Sequence, residues 1–439
     1  MKIGILGAGA TGLSAAWDIS RAGHQVTIYE RDNFIGGHAS TFDIEGSAIE
    51  KGYHHWFTND HNILQLCKEI GIENQVIWNS SKVGTFFNGK SYNFGTPIDL
   101  IRYKPLSIQN RVRLGLSALK VQRIRNWADI EHLTASEWLQ DNVDQKGYES
   151  FWKPMLRGKF GEEHYQEIGM AWLWGKMNTR FTSRKNLFSR ETLGYPKGSF
   201  KNLFNVLTQK LADNGTKLYL SSGITSIKKY QDGKIGLKVE ETGNVDKFDA
   251  VIASVPSHVF NKITEGLTEP YRTKLMSIQY MSAVLLILVL HHPFTDKYWL
   301  NIADRSIPFV GVIEHTNLVP PQNYGNKHIL YVSNYLSKNS EYYQLDGPEL
   351  LEAYLPYLRK INKKFNKQWI SEFHHHRIDN AQPIIGKNYT SSMPNHETGI
   401  ENLYLANNTQ VYPQDRGTNY NVKMGREIAV LAMNKLLGK

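Results

Sequence analysis

The run Gly7-Ala8-Gly9-Ala10-Thr11-Gly12 constrains this chain more than any other. It matches G-x-G-x-x-G, and its surroundings complete the pattern. Residues 2–7 read as a buried parallel strand, and 11–21 carry helical spacing through Leu13, Ala16, Trp17 and Ile19 before Gly23 stops them. A second strand is predicted over 25–30, closed by Glu30. In such a unit Gly7 permits the tight turn, Gly9 lets main chain approach a pyrophosphate, and Gly12 allows close packing of helix on strand. Bare N–H groups along the turn, those of Ala8, Ala10 and Thr11 included, and the helix dipole then favour phosphate charge. The Glu30 carboxylate would accept from both ribose hydroxyls and repel a 2′-phosphate, so NADP is disfavoured. A glycine turn without a ligand would not need strand, helix and acid together.

FAD and NAD are separated further along. The run Glu30-Arg31-Asp32-Asn33-Phe34-Ile35-Gly36-Gly37-His38 places a Gly-Gly doublet just after the acid, where a second backbone approach to the pyrophosphate is needed. Here the chain resembles the superfamily of flavin-containing amine oxidases, protoporphyrinogen oxidases, phytoene-type desaturases and UDP-galactopyranose mutase. Their opening runs G-x-G-x-x-G, an acid, then G-G-R and a small hydroxyl residue; this chain has Gly36-Gly37-His38-Ala39-Ser40-Thr41, with His38 in place of the commoner arginine. The resemblance implies FAD, with Arg31 and His38 among its contacts. It also implies that Glu50-Lys51-Gly52-Tyr53-His54-His55-Trp56-Phe57 passes along the isoalloxazine, Gly52 touching it, and that Ile224 lies in the strand beside the adenosine. Val255 belongs to the turn after the family's second cofactor-domain strand. Asn407-Asn408 replaces the usual Gly-Asp after the final strand, and Thr418 and Asn419 lead into a last helix whose N–H groups would face the flavin pyrimidine oxygen. The runs 53–55, 153–161, 314–317 and 415–419 resemble a bacterial and archaeal branch of protoporphyrinogen-oxidase-like and amine-oxidase-like proteins.

Strand-like runs at 217–220, 224–230, 235–239 and 250–254, with Asn214-Gly215, Ser222-Gly223, Asp232-Gly233 and Gly243-Asn244 as turns, read as a meander returning to a parallel strand. Patterns over 108–138 and 148–177 are mostly helical, 281–382 is mixed, and the end reads as a strand over 402–406 and a helix over 421–437. The expected fold is α/β: a Rossmann-type FAD-binding domain, parallel sheet plus β-meander, with an interleaved α+β substrate domain. The cofactor domain would comprise 1–60, 193–265 and 395–439, and the substrate domain 61–192 and 266–394.

A flavin itself accepts the hydride, so the protein need only orient the substrate, exclude water and tune the ring. His54 and His55 on a strand would point to opposite faces, so one of them looks at the flavin. In the resembling mutases a histidine in this region sits against the ring; a histidine bonded to backbone beside the cofactor is the plainer role. Lys159, in an apolar and glycine-containing run, would hold a water or favour an anionic reduced ring, or else lie on the surface as a plain cation. Glu314 and His315 follow the apolar run 309–313 and would line the pocket as acid or base, or merely bridge strands. A strand presents only two of His374-His375-His376 on one face and no third ligand stands nearby, so no metal is expected. The leading expectation is an FAD-dependent oxidoreductase taking a hydride from an amine, alcohol, polyene or porphyrin-like molecule. The main rival is a non-redox sugar-nucleotide mutase, whose Gly-x-His-x-Phe-His is loosely echoed by residues 52–57. A binding protein without turnover is the third, and the substrate-domain pattern counts against it.

Hydrophobic residues at 41% and charged residues at 21% are a globular composition. The single cysteine, Cys67, excludes an internal disulfide and a cysteine metal cluster and fits a reducing compartment, so a cytoplasmic location is expected. The longest apolar run, 283–290, falls far short of the roughly 20 residues that cross a bilayer. Formal net charge is +10, and residues 101–127 hold Arg102, Lys104, Arg111, Arg113, Lys120, Arg123 and Arg125 without one acid. Leu106, Leu114, Leu116, Leu119, Val121 and Ile124 interleave with them. A solvated helix face over the core is the plain reading; a peripheral helix on the anionic inner face of a membrane, or a wall attracting an anionic substrate, are the others. No nucleic-acid module accompanies the charge, and a small molecule is the expected partner.

Overall fold

The computed structural model describes residues 1–143, 145–186 and 188–438. Its organising layer is a five-stranded sheet in the order Lys217–Tyr219, Gln25–Tyr29, Lys2–Leu6, Ala250–Ala253, Leu403–Leu405, with every pair parallel. Strands from three distant stretches of chain thus lie side by side. Ile3, Ile5, Ala250 and Ile252 pack on one face against the first helix, Ala10–Arg21, and the last, Thr418–Leu436. Leu6, Tyr29, Val251 and Ala253 face the meander Ile224–Lys229, Ile235–Val239, Val245–Phe248. Burial on both faces explains why these strands read as unbroken apolar runs. The meander's third strand, Val245–Phe248, falls in a stretch of alternating charge that carries no strand signal.

A seven-stranded sheet forms the second layer, in the order Ile370–Pro383, Tyr280–Leu290, His328–Leu336, Gly311–Glu314, Trp299–Ile302, Val83–Phe87, Lys90–Asn93. All pairs are antiparallel except Trp299–Ile302 with Val83–Phe87. The long apolar run belongs to its strand Tyr280–Leu290: Ala283, Leu285 and Ile287 join the core shared with the parallel sheet, and Val284, Leu286 and Leu288 pack on the helix Gly347–Ile361. On Ile370–Pro383, His374 and His376 present parallel rings to Phe42, as alternation requires. The described residues contain no metal-ligand group of His, Cys, Asp and Glu.

The helical lobe has a separate core around Tyr103, Leu114, Trp138, Leu156 and Trp172. Its helices are shorter than the periodicity suggests. Ile108–Arg123 ends well before Ala135–Asn142 begins, and Lys153–His164 is separated from Met170–Thr182 by a turn. No helix among the described residues is long and apolar enough to cross a membrane.

Candidate active site

The strand Lys2–Leu6 ends at Gly7, whose φ of +99° turns the chain into the first helix. A Cβ on Gly12 would fall 2.0 Å from the Gly7 carbonyl oxygen, so only glycine lets the helix start this close to the strand. The doublet comes back beside this turn: the Gly36 N–H donates to the Ala8 carbonyl at 2.9 Å, and a Cβ on Gly37 would lie 3.3 Å from the Gly9 Cα. Two stretches of bare main chain therefore face one groove of about 700 Å³. Glu30 stands at its edge, accepting from Ala8 N at 2.8 Å and Asp32 N at 3.0 Å. The groove continues past Ser222, Ile224 and Val255 on one side and ends at His38, His54 and Arg416-Gly417-Thr418.

At that end it meets a second cavity of about 210 Å³, which shares His38, His54 and Arg416-Gly417-Thr418 with it. Tyr53, Phe57, Trp299 and Tyr335 supply aromatic walls. A half-buried charge cluster closes one side. Asp415 accepts from Lys159 Nζ at 2.5 Å, Lys176 Nζ at 2.8 Å and Trp172 Nε1 at 3.3 Å. Burial alone would raise the Asp415 carboxyl, yet Lys159, Lys176 and Arg416 hold it far below the usual carboxylate range. Burial draws the Lys159 ammonium down and brings Lys176 to about 8, with Asp415 opposing both shifts. Arg416 donates to the Tyr335 hydroxyl at 3.2 Å, while its buried Nε has no partner among the described residues. Asp60 lines the same cavity, and burial pushes its carboxyl up to about 7 against the Phe57 N–H it accepts.

A model of the flavin containing amine oxidoreductase family matches residues 10–414. The chain belongs to this family. Among its relatives, 15-cis-phytoene desaturase of Synechococcus elongatus is 30% identical over 154 residues, 32% of each chain. Coproporphyrinogen III oxidase of Staphylococcus aureus is 24% identical over 297 residues, 59% of this chain and 61% of the other. The matched stretches thus span about a third and about three fifths of these relatives. Among solved structures, reduced UDP-galactopyranose mutase superposes with a TM-score of 0.78 at 16% identity, covering 99% of this chain and 95% of the mutase. Putrescine oxidase bound to putrescine gives 0.75 at 14%, covering 99% of both. An oxidoreductase from Methanosarcina mazei gives 0.73 at 17%, covering 98% and 99%. At these identities the likeness is one of fold.

The cofactor of this flavin-dependent family member is FAD, and the residues fit it. The bare approach of Gly9 to Gly37 is a cradle that side chains would fill, and the unpaired Arg416 Nε lies where the groove opens into the second cavity. Ala10 and Thr11 line the groove as first-turn residues of a helix, whose N–H groups lack intrahelical acceptors. Ala8 does not: its N–H is taken by Glu30, so it orients the acid. Arg31 reaches only the rim, three-quarters exposed and 3.7 Å from Asp32. His38 accompanies the Asn408 amide at 3.2 Å, and burial, with Arg416 and His54 beside it, brings its imidazole down to about 4. It is neutral at neutral pH and cannot replace an arginine's charge.

His54 and His55 both face the second cavity, but only His54 also reaches the groove. His54 Nδ1 lies 2.6 Å from the Gly52 carbonyl and so donates to it; burial lowers this imidazole to about 4. His55 pairs with the Tyr298 hydroxyl at 3.0 Å, and burial, helped by Arg180, lowers it to about 3. The last helix starts at Thr418, three residues before the expected 421, so Thr418 and Asn419 belong to its first turn, but their side chains are engaged. Thr418 Oγ1 accepts from Trp56 Nε1 at 3.0 Å, and Asn419 Oδ1 accepts from Asn62 N and Ile63 N at 2.9 and 3.1 Å.

Glu314 and His315, expected to line the pocket or merely to bridge strands, line neither cavity. Glu314 ends a strand buried from end to end and His315 opens the turn after it, so both lie in packed interior. Glu314 accepts from Phe294 N and Thr295 N, each at 3.0 Å, and burial lifts it to about 8. His315 lies 2.8 Å from the Tyr324 hydroxyl and is lowered to about 3 by burial. Of the cavity's charged residues, Asp60, Lys176 and Arg180 were not singled out by sequence reasoning, and Asp415 and Arg416 entered only within the run 415–419, without a role. The available signal was Lys176, a cation inside the tryptophan-rich helix Met170–Thr182.

Proposed function

We propose that this protein oxidises a small organic molecule in the 210 Å³ cavity, using FAD held in the adjoining groove as hydride acceptor. One observation carries the reading: groove and cavity share the wall made by His54 and Arg416-Gly417-Thr418. A dinucleotide that starts at Glu30 and crosses the glycine turns would end in that wall. Tyr53, Trp299 and Tyr335 would exclude water and present a flat apolar face to the substrate. Arg416, the Lys159–Asp415–Lys176 cluster and the N-terminus of Thr418–Leu436 together supply positive potential at the junction, which favours negative charge there. Asp60, near 7, and Lys176, near 8, are the groups able to take or give a proton around neutrality.

The same cation excess would suit a sugar nucleotide, and it is the observation that favours the mutase reading. An anaerobic screen separates the two. Bleaching of the flavin by an amine, alcohol, polyene or porphyrinogen supports oxidation; turnover of a sugar nucleotide only after dithionite reduction, without net redox change, replaces it with the mutase. The domain division at 1–60, 61–192, 193–265, 266–394 and 395–439 and a cytoplasmic location belong to the same proposal; peripheral contact with an anionic membrane through residues 102–125 is independent of it. The parallel sheet built from three stretches supports the first, and buried Cys67 is consistent with the second.

A further inference from the structure

The helix Ile108–Arg123 is apolar on two opposite sides. Asn110, Leu114, Ser117 and Val121 are buried against the helical lobe. At about 100° per residue, Ile108, Val112 and Leu116 fall on the far side. They are 74%, 55% and 53% exposed. The neighbouring short helix Pro97–Ile101 lays Leu100 over Gly115 and adds Ile101, 67% exposed, and Ile98, 45% exposed. Five of the fourteen large apolar side chains exposed among the described residues therefore fall within 98–116. A helix that merely covers a core is polar outside, so core packing accounts for only one of the two apolar sides.

The charges around this ridge indicate what covers it. Arg102, Lys104, Arg113, Lys120, Arg123 and Arg125 are all exposed, and no acid occurs between residues 101 and 127. Among the described residues none of the six pairs with a carboxylate, and Lys120 reaches only the Asn142 amide oxygen. An apolar ridge flanked by exposed cations matches the boundary of an anionic bilayer, where acyl chains take the apolar side chains and headgroups take the charge. Two copies of the chain meeting through this face would set cation against cation. A phosphate backbone would leave the ridge in water.

We propose that Ile108–Arg123, with Pro97–Ile101, seats this protein on an anionic lipid surface. The seat backs onto Met170–Thr182, the helix that carries Lys176 and Arg180: Trp174 Nε1 of that helix donates to the Ile124 carbonyl at 3.0 Å. The inference does not depend on the redox reading, and flavin content is read separately.

The test is flotation of the FAD-loaded full chain with vesicles of phosphatidylcholine alone or mixed with phosphatidylglycerol. The expected result is flotation on the anionic vesicles at low salt, with affinity at least about tenfold lower on the neutral ones and at high salt. The combined variant Ile108→Ser, Val112→Ser, Leu116→Ser should lose about tenfold or more on anionic vesicles, as should Arg113→Glu with Lys120→Glu and Arg123→Glu. Because all six side chains are exposed, flavin absorbance and Tm should stay as in the parent. No flotation at low salt overturns the proposal. So does an apolar variant that floats like the parent, or a concentration-dependent dimer that the apolar variant abolishes while vesicles capture nothing.

Discussion

The charged and polar side chains of the site are set by burial more than by residue type. Asp60 and Glu314 are both buried carboxyls lifted toward neutrality, yet one opens on the cavity and the other is closed inside the core. Their tests differ accordingly. For Asp60 the ionised form is the base, so kcat/KM should rise with pH through about 7 and fall above about 8 as Lys176 loses its proton. Asp60→Asn should remove the acidic limb and lower kcat by about 100-fold or more; a profile that keeps that limb assigns it elsewhere. Glu314 affects stability only. Its folded value of about 8 lies above the ordinary 4.5, so its contribution is full below about 4.5 and is lost as pH rises toward 8, at roughly 1.4 kcal/mol per unit. Glu314→Gln keeps an acceptor for Phe294 N and Thr295 N. It should flatten the fall of Tm across that window and leave turnover unchanged.

The elements place these residues, and some side chains named for the cofactor turn out to hold elements together. Asn419 belongs to the last helix but caps the start of another, His61–Glu69, through two backbone N–H groups. Asn419→Ala should therefore cost about 0.5–2 kcal/mol of stability, read by thermal unfolding, while the purified protein keeps its full complement of flavin. Loss of flavin at unchanged Tm would return Asn419 to the cofactor. Local signals explain which elements could be read beforehand. The strand, glycine turn and helix at residues 2–21 declare themselves because turn chemistry, periodicity and burial agree there. Val245–Phe248 did not, since its composition is polar, although it pairs in a local hairpin with Ile235–Val239. In the seven-stranded sheet the hairpin of Val83–Phe87 and Lys90–Asn93 turns on Asn88-Gly89, a local signal, whereas pairings between distant stretches, such as Val83–Phe87 with Trp299–Ile302, leave no local trace.

At the scale of the whole molecule, the groove and the second cavity are brought together by chain segments hundreds of residues apart. The groove was legible because its contacts are main-chain approaches that only glycine permits. The cavity was not, because Asp60, Lys176, Asp415 and Arg416 acquire meaning only once folding removes water from among them. Lys159 was visible as an odd cation in an apolar run, but its partner Asp415 lies 256 residues away. The central claim is that the flavin ring ends at the wall shared by groove and cavity, beside Arg416. The midpoint potential of the bound flavin tests it most directly. Arg416→Gln removes a half-buried cation from that wall and should lower the two-electron potential by about 30 mV or more, the equivalent of roughly 1.4 kcal/mol. A variant that binds FAD normally and keeps the parent's potential would contradict the account.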